Sequence, residues 1–141
     1  MKVSDWLNQH PMHAGVVRED WGLKQIMQKL LGNSRLNDLY VINAKNQVIG
    51  HLSYQKLAKL VLAEHCPSHT RHQIFERVVP GTAIELMEAH FARASPDENL
   101  HEIIVRQLDH WVEDLPVINQ HGELEGVINL SDVLLEVMKA E

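Results

Sequence analysis

The 141-residue sequence matches itself at a fixed distance. Residues 39–43 (LYVIN) correspond to residues 115–119 (LPVIN), 76 positions later, and Gly50 corresponds to Gly126 at the same offset. A match with a fixed offset indicates a duplication. Each copy has about 60 residues, a length at which a domain is only marginally stable alone, so the two copies are predicted to share a core.

Both copies predict the same order of elements: a strand, a helix, a β-hairpin and a second helix. In the helices the apolar residues follow the i, i+3, i+4 spacing of one buried face. In the last helix this spacing places Val133, Leu134, Val137 and Met138 inward. The predicted elements are a strand at 14–17, a helix from Asp20, a hairpin at 41–52 and a Ser53-capped helix to about Glu64, then a strand at 91–94, a helix starting at 95–98, a hairpin from Leu115 and a helix at 132–140.

These elements divide the sequence into two repeats and a connection. The first repeat is predicted at 1–64 and the second at 82–141. Between them, the segment 65–81 contains Pro67, Pro80 and Gly81, residues that interrupt regular structure. We therefore interpret 65–81 as the connecting segment.

Composition and charge exclude several classes of protein. The formal net charge of -6 disfavours unspecific binding of nucleic acid, because that binding depends on Lys and Arg neutralising phosphates. The single cysteine, Cys66, rules out an intrachain disulfide framework. No apolar run reaches the roughly 18 to 20 residues of a membrane helix, and the N-terminus lacks the apolar core of a signal peptide. The sequence predicts a cytoplasmic protein that binds neither nucleic acid nor membrane.

Catalytic motifs are missing from the sequence. It contains no G-x-x-x-x-G-K-[ST] phosphate loop, no G-x-G-x-x-G after a strand and no G-x-S-x-G elbow. His101 and Glu102 begin like a zinc-protease motif, but Val105 stands where the second histidine is needed. We therefore predict that the protein is not an enzyme and requires no cofactor.

One group of imidazole and thiol side chains lies in the connecting segment. His65, His69 and His72 have i, i+4, i+7 spacing, and Cys66 lies beside the first of them. Nitrogen and sulfur donors of this kind hold zinc. Pro67, however, interrupts the helix that would align them. The alternative interpretation is a solvated, histidine-rich connection.

The repeated order of elements is similar to a known family. With LPVIN leading a strand and GVINLSDV joining a strand to a helix, the sequence resembles a tandem pair of CBS domains over essentially its whole length. The resemblance implies an α+β fold of two β-α-β-β-α repeats related by a pseudo-twofold axis, with small mixed sheets packed together and helices outside. It also implies clefts that bind adenine nucleotides or adenosyl compounds, and a homodimer in which two pairs form a flat disc.

The ligand motif of that family is Gly, two apolar residues, Ser or Thr, two variable residues and Asp. It maps onto residues 126–132, with Asn129 replacing the hydroxyl residue. The resemblance implies that Asp132 accepts hydrogen bonds from ribose hydroxyls, and that Asn129 and the helix N-terminus face phosphate. The chemistry agrees, since a carboxylate accepts from a diol and free amides at a helix start favour anions. In repeat one Lys56 replaces the acid, so that cleft is expected to be degenerate or altered in ligand preference.

The resemblance further implies a wall that holds the adenine. Backbone groups of this wall would read the base edge, and its apolar side chains would cover the base faces. The wall consists of Ala94, Ser95, Leu115, Pro116 and Val117. Each of these assignments has a structural alternative: Asn129 and Asp132 are also typical of an N-cap followed by an acid in the first turn, and Pro116 is typical of a strand start.

Three functions from different classes follow. The first is a standalone regulatory module that binds AMP, ADP, ATP or an S-adenosylmethionine-like compound on repeat two and signals to an effector protein. The second is a ligand-free module that dimerises or docks on a partner. The third is a metal sensor centred on the histidines and the cysteine of the connecting segment.

Overall fold

The computed structural model describes residues 1–11, 14–32, 38–63, 81–109 and 114–140. Its class is α+β, as predicted, with small sheets and short helices. The described elements are α1 (Val3–Gln9), β1 (Gly15–Arg18), α2 (Leu23–Leu31), β2 (Asp38–Ile42), β3 (Val48–Ser53), α3 (Tyr54–Ala63), α4 (Ala83–Leu86), α5 (Leu100–Gln107), β4 (Asp114–Ile118), β5 (Leu124–Asn129) and α6 (Leu130–Lys139). None of these helices has the length and apolar character needed to cross a membrane.

The chain forms two compact units that do not coincide with the two repeats. Unit 1 contains Met1–Ala14, Asn46–Val48 and Phe91–Glu141, and unit 2 contains Gly15–Lys45 and Ile49–His90. Helix α1, the leading helix of repeat one, is therefore part of unit 1. Helix α4, the leading helix of repeat two, is part of unit 2. The boundaries at 1–64, 65–81 and 82–141 describe repeats along the sequence and stay a prediction.

Unit 2 is built on a three-stranded sheet with the order β1-β2-β3. Strands β1 and β2 are parallel, with Gly15 opposite Leu39 and Arg18 opposite Ile42. The buried cluster on this sheet includes Ile26 and Leu30 of α2, which lie one helical turn apart and so share a face. Its other members are Val17, Leu39, Val41, Leu52, Leu57, Ala83 and Leu86.

Unit 1 is built on the antiparallel pair β4 and β5, in which Leu115 lies opposite Ile128. The turn between them contains Gly122 at a φ of 82°, a left-handed conformation that glycine adopts without a steric cost. The buried cluster of unit 1 consists of Val3, Trp6, Ala94, Leu100, Ile103, Leu115, Val117, Ile128, Leu130 and Val133. Each cluster contains residues of both repeats, with Val3 and Trp6 in the cluster of unit 1 and Ala83 and Leu86 in the cluster of unit 2.

The strand predicted at 91–94 is reduced to one parallel bridge, between Ala94 and Val117. Its two hydrogen bonds run from the Ala94 amide to the Pro116 carbonyl and from the Ile118 amide to the Ala94 carbonyl, both 2.9 Å. The pairing cannot extend along the chain, because the Ser95 amide donates to Glu98 instead and Pro96 has no amide hydrogen. The prediction of a full strand is wrong for this reason.

Three helices begin at other residues than predicted. Helix α2 was predicted to begin at Asp20 and begins at Leu23, and helix α5 was predicted to begin at 95–98 and begins at Leu100. The cap residue decides the start of α5, because the Asn99 side chain accepts a 2.9 Å hydrogen bond from the His101 amide. The prediction for α3 is confirmed, since the Ser53 hydroxyl accepts from the Lys56 amide at 3.1 Å.

Helix α6 also differs from its prediction. It begins at Leu130 instead of Asp132, and only its first turn is buried, at Leu130 and Val133. Leu134, Val137 and Met138 were predicted to face inward, but they are 53%, 50% and 65% exposed. The apolar spacing correctly predicts a helix with an apolar side, and that side is not covered within the described part of the chain.

Candidate functional site

Asn129 joins β5 to α6 and uses both ends of its amide. The Oδ1 atom accepts a 3.2 Å hydrogen bond from the Asp132 amide, which caps the helix. The Nδ2 atom donates a 2.8 Å hydrogen bond to Oδ1 of Asp114, a residue only 6% exposed at the start of β4. These two contacts fix the side-chain orientation, so Asn129 positions the start of α6.

The sequence interpretation did not include Asp114. A signal for it exists, because Asp38 and Asp114 are separated by the same 76 positions as the rest of the repeat. In unit 2 the carboxylate of Asp38 lies 3.1 Å from Nε2 of His51. In both repeats an acid at the start of the hairpin thus contacts a side chain of the second strand. This side chain is the amide of Asn129 in repeat two and the imidazole of His51 in repeat one.

Asp132 is the third residue of α6 and is exposed. Its carboxylate makes no hydrogen bond or ion pair with any residue that the structure describes. In the same turn, the amides of Leu130 and Ser131 have no acceptor within the helix, because the first amides of any helix lack one. The start of α6 therefore presents a carboxylate that accepts hydrogen bonds beside amides that donate them, and this combination suits a ligand with both a diol and an anionic group.

The predicted adenine wall lies together in unit 1, and most of its side chains belong to the core. Ala94, Leu115 and Val117 are at most 2% exposed and pack in the buried cluster. The amide and carbonyl of Ala94 are both used in its bridge to β4. These three residues thus hold the wall in place, and their contact with a base stays a prediction.

The two remaining residues of the wall differ from the others. Pro116 is buried, and strand alternation places it on the opposite face of β4 from Leu115 and Val117. Ser95 is half-buried, and its amide donates a 3.0 Å hydrogen bond to the Glu98 carboxylate. Glu98 in turn accepts a 2.9 Å hydrogen bond from Arg106. The Ser95 hydroxyl makes no hydrogen bond among the described residues, and it is the polar group that this side of the site offers.

The motif glycines have a packing role that the sequence interpretation did not foresee. A Cβ placed on Gly126 would lie 3.1 Å from a methyl carbon of Leu7, in α1. A Cβ placed on Gly50 would overlap the side chain of Met87, just after α4. In unit 1, Gly126 of repeat two therefore leaves room for α1 of repeat one beside the sheet. In unit 2, Gly50 of repeat one leaves room for the end of α4 of repeat two.

The corresponding helix start in unit 2 has a different charge. Lys56 takes the position of Asp132, and its Nζ lies 4.0 Å from a carboxylate oxygen of Glu88. His51 contacts Asp38 and lies beside the Tyr40 ring, with ring centroids 5.5 Å apart. A cation at this position offers no acceptor to a ribose hydroxyl, so unit 2 lacks the acid-and-amide combination of unit 1.

The candidate metal ligands His65, Cys66, His69 and His72 lie outside the described residues. Within the described ranges, no three His, Cys, Asp or Glu side chains are grouped closely enough to hold a metal ion. The proposal of a metal sensor is therefore tested by elemental analysis of protein purified without an affinity tag. A stoichiometric metal would support it, and its absence would exclude it.

Comparison with known proteins shows the fold, and a family model matches part of the chain. The family model for the CBS domain matches residues 83–139. A CBS domain-containing protein from Thermotoga maritima has 25% identity and a TM-score of 0.75, and the match covers 99% of this chain and 95% of that one. A search of the curated proteins finds no match.

Two further similar structures contain adenosyl ligands. CBSX2, solved in complex with AMP, has 18% identity and a TM-score of 0.73, with 99% of this chain and 97% of that chain covered. The CBS domain pair of protein MJ0100, in complex with 5'-methylthioadenosine and S-adenosyl-L-methionine, has 13% identity and a TM-score of 0.71, with 100% and 98% covered. At these identities the likeness shows the fold.

Proposed function

We propose that this chain, a tandem pair of CBS domains, is a regulatory module that binds an adenosyl compound at the start of α6. The observation that carries the proposal is the exposed Asp132 carboxylate beside the first amides of α6. Proteins with the same fold bind AMP, 5'-methylthioadenosine and S-adenosyl-L-methionine, which supports the same class of ligand here. The role that we propose is regulatory, as the resemblance to CBS domain proteins implies.

The structure suggests a division of roles within the site. Asp132 would accept hydrogen bonds from the ribose hydroxyls, and the amides of Leu130 and Ser131 would donate to an anionic group. Asn129 would act mainly by holding the helix start, since both ends of its amide already have partners. Pro116 and the Ser95 hydroxyl would complete the side of the site that meets the base.

Regulation by a bound ligand requires a second protein that responds to the ligand-bound form. We propose that the chain forms a homodimer and transmits ligand occupancy to an effector protein, as the family resemblance implies. The cytoplasmic location stays a prediction from the sequence. Light scattering of the purified protein tests the dimer, and a monomer at micromolar concentration would contradict it.

Calorimetry with AMP, ATP and S-adenosylmethionine tests ligand binding. The wild type is expected to bind at least one of them, and Asp132→Ala is expected to weaken that binding by about tenfold or more, because a hydrogen bond to a charged group contributes about 1.5–3 kcal/mol. Lys56→Ala is the matched control, since Lys56 occupies the same position in repeat one. Absence of binding by any of the three compounds, or an equal loss in both variants, would contradict the proposal.

The ligand-free interaction module remains the second candidate. The observation that favours it concerns the predicted adenine wall. The Ala94 backbone is already hydrogen-bonded to β4, and the side chains of Leu115 and Val117 are already packed in the core. If it is correct, Asp132→Ala changes no property except a small loss of stability from the first turn of α6. Wild-type protein would then show no heat with any adenosyl compound.

A further inference from the structure

Most of the predicted adenine wall offers no free backbone amide to a base. Leu115 and Val117 lie opposite residues of β5 in the strand pairing, so their amides point toward β5. Pro116, which lies between them, has no amide hydrogen. The Ala94 amide donates to the Pro116 carbonyl at 2.9 Å. A base that meets these four residues finds no donor with a fixed direction.

Ser95 completes the wall, and both of its backbone groups have partners as well. Its amide donates a 3.0 Å hydrogen bond to the Glu98 carboxylate. Its carbonyl accepts a 3.1 Å hydrogen bond from the Glu98 amide. The hydroxyl of this half-buried serine is therefore the donor that the wall offers within the described part of the chain.

Glu98 and Arg106 fix the backbone around this serine. Arg106 donates to the Glu98 carboxylate at 2.9 Å and to the Arg93 carbonyl at 3.2 Å, so the pair holds the chain on both sides of Ala94. The Glu98 and Arg106 side chains are 32% and 49% exposed, and ion pairs at such exposure contribute little to stability. The effect of the pair is therefore local, on the orientation of Ser95.

A hydroxyl group has no fixed polarity toward a purine edge. It donates or accepts according to its rotation about the C–O bond. Adenine presents an amino donor beside a ring-nitrogen acceptor, whereas hypoxanthine presents a carbonyl acceptor beside a ring N–H donor. A fixed amide and carbonyl would match one of these edges and oppose the other. The Ser95 hydroxyl matches both.

We propose that the Ser95 hydroxyl reads the base and that Glu98 is its positioning residue, so that the site accepts purine nucleotides with adenine or hypoxanthine alike. This inference rests on the proposed function and widens its ligand class from adenosyl compounds to purine nucleotides. The two kinds of nucleotide share the ribose and the phosphate. Asp132 and the first amides of α6 would therefore contact both in the same way.

Calorimetry of the wild type with AMP and inosine monophosphate (IMP) tests the base tolerance. We expect the two dissociation constants to agree within about tenfold, because a site built on fixed hydrogen-bond partners rejects the wrong group by much larger factors. A larger ratio in either direction would overturn the inference. Binding of neither AMP nor IMP would also overturn it, whereas the proposed function fails only if ATP and S-adenosylmethionine do not bind either.

Two substitutions of Ser95 test the hydroxyl. Ser95→Ala is expected to weaken AMP and IMP by the same factor, about fivefold, which corresponds to one hydrogen bond. Its urea midpoint is expected to stay unchanged, because the hydroxyl has no partner among the described residues. Ser95→Thr keeps the hydroxyl and is expected to keep both affinities. A loss for one nucleotide alone, or no loss in Ser95→Ala, would overturn the role of the hydroxyl.

Glu98→Ala tests the positioning role, with Gln25→Ala as the matched control. Gln25 accepts from the Gly22 amide at 3.1 Å, three residues earlier in the chain, as Glu98 does from the Ser95 amide. We expect Glu98→Ala to weaken AMP and IMP several-fold and Gln25→Ala to leave both unchanged. Because Glu98 acts through Ser95, the double variant Ser95→Ala/Glu98→Ala is expected to bind no more weakly than Ser95→Ala. Additive losses, or equal losses in Glu98→Ala and Gln25→Ala, would overturn the positioning role.

Discussion

Removing the Asn129 side chain is expected to destabilise the protein more than removing an ordinary helix cap. In Asn129→Ala the Asp132 amide loses its acceptor, and the buried Asp114 carboxyl loses the donor at 2.8 Å. The matched change in repeat one is Ser53→Ala, which removes the hydroxyl that accepts from the Lys56 amide. The two variants therefore share the loss of a cap and differ in the loss of a buried partner.

The structure allows the difference to be estimated. Loss of an N-cap side chain costs about 1 kcal/mol, and this applies to both variants. Loss of the hydrogen bond to the buried Asp114 carboxylate costs a further 1–3 kcal/mol or so, and this applies to Asn129→Ala alone. We expect the free energy of unfolding to fall by about 2–4 kcal/mol in Asn129→Ala and by about 1 kcal/mol in Ser53→Ala.

Urea denaturation followed by circular dichroism measures both values. A double-mutant cycle with Asp114→Ala isolates the contact, because the coupling energy excludes the cap. We expect a coupling of at least 1 kcal/mol between Asn129 and Asp114, which is on the order of one buried hydrogen bond. Equal destabilisation in Asn129→Ala and Ser53→Ala, together with zero coupling, would refute the view that Asn129 acts by holding Asp114.

Further substitutions test the packing within each unit. Gly50→Ala is expected to lower the free energy of unfolding by about 1–3 kcal/mol, because the added Cβ overlaps Met87. Gly126→Ala is expected to lower it less, because a Leu7 methyl group can move by a few tenths of an ångström. Equal losses in urea denaturation would contradict this reasoning. Ile103→Ala is expected to cost about 2–5 kcal/mol, because Ile103 is fully buried in the cluster of unit 1. A change below 1 kcal/mol in the same assay would show that this cluster is not a packed core.

The sequence predicts part of the local structure. The repeat at an offset of 76 predicts the hairpin turn with Gly122 and the cap at Ser53, because these depend on residues that are close along the chain. The start of α5 was predicted at 95–98 and lies at Leu100, because the folded turn selects Asn99 as the cap.

The remaining differences come from contacts between residues far apart in the sequence. The period of α6 predicts an apolar side at Leu134 and Met138, but it does not tell whether the core or another protein covers that side. The hydrogen bond between Asp114 and Asn129 joins residues 15 positions apart on neighbouring strands, and a one-dimensional motif does not encode it. In the candidate site, the motif is enough to predict Asp132. It does not predict that the backbone groups of Ala94 are already hydrogen-bonded to β4, which follows from the bridge to Val117.

The exchange of leading helices has a consequence for how the protein is made. Helix α1 is synthesised before the residues on which it packs, because the Val3 amide pairs with the Glu98 carbonyl and the rest of its cluster extends to Val133. Closing a loop of this length is slow, and Val3 and Trp6 remain in water until the residues up to Val133 have been synthesised. A growing chain thus carries an apolar segment without its binding surface, and chaperones that act on nascent chains are expected to bind it there.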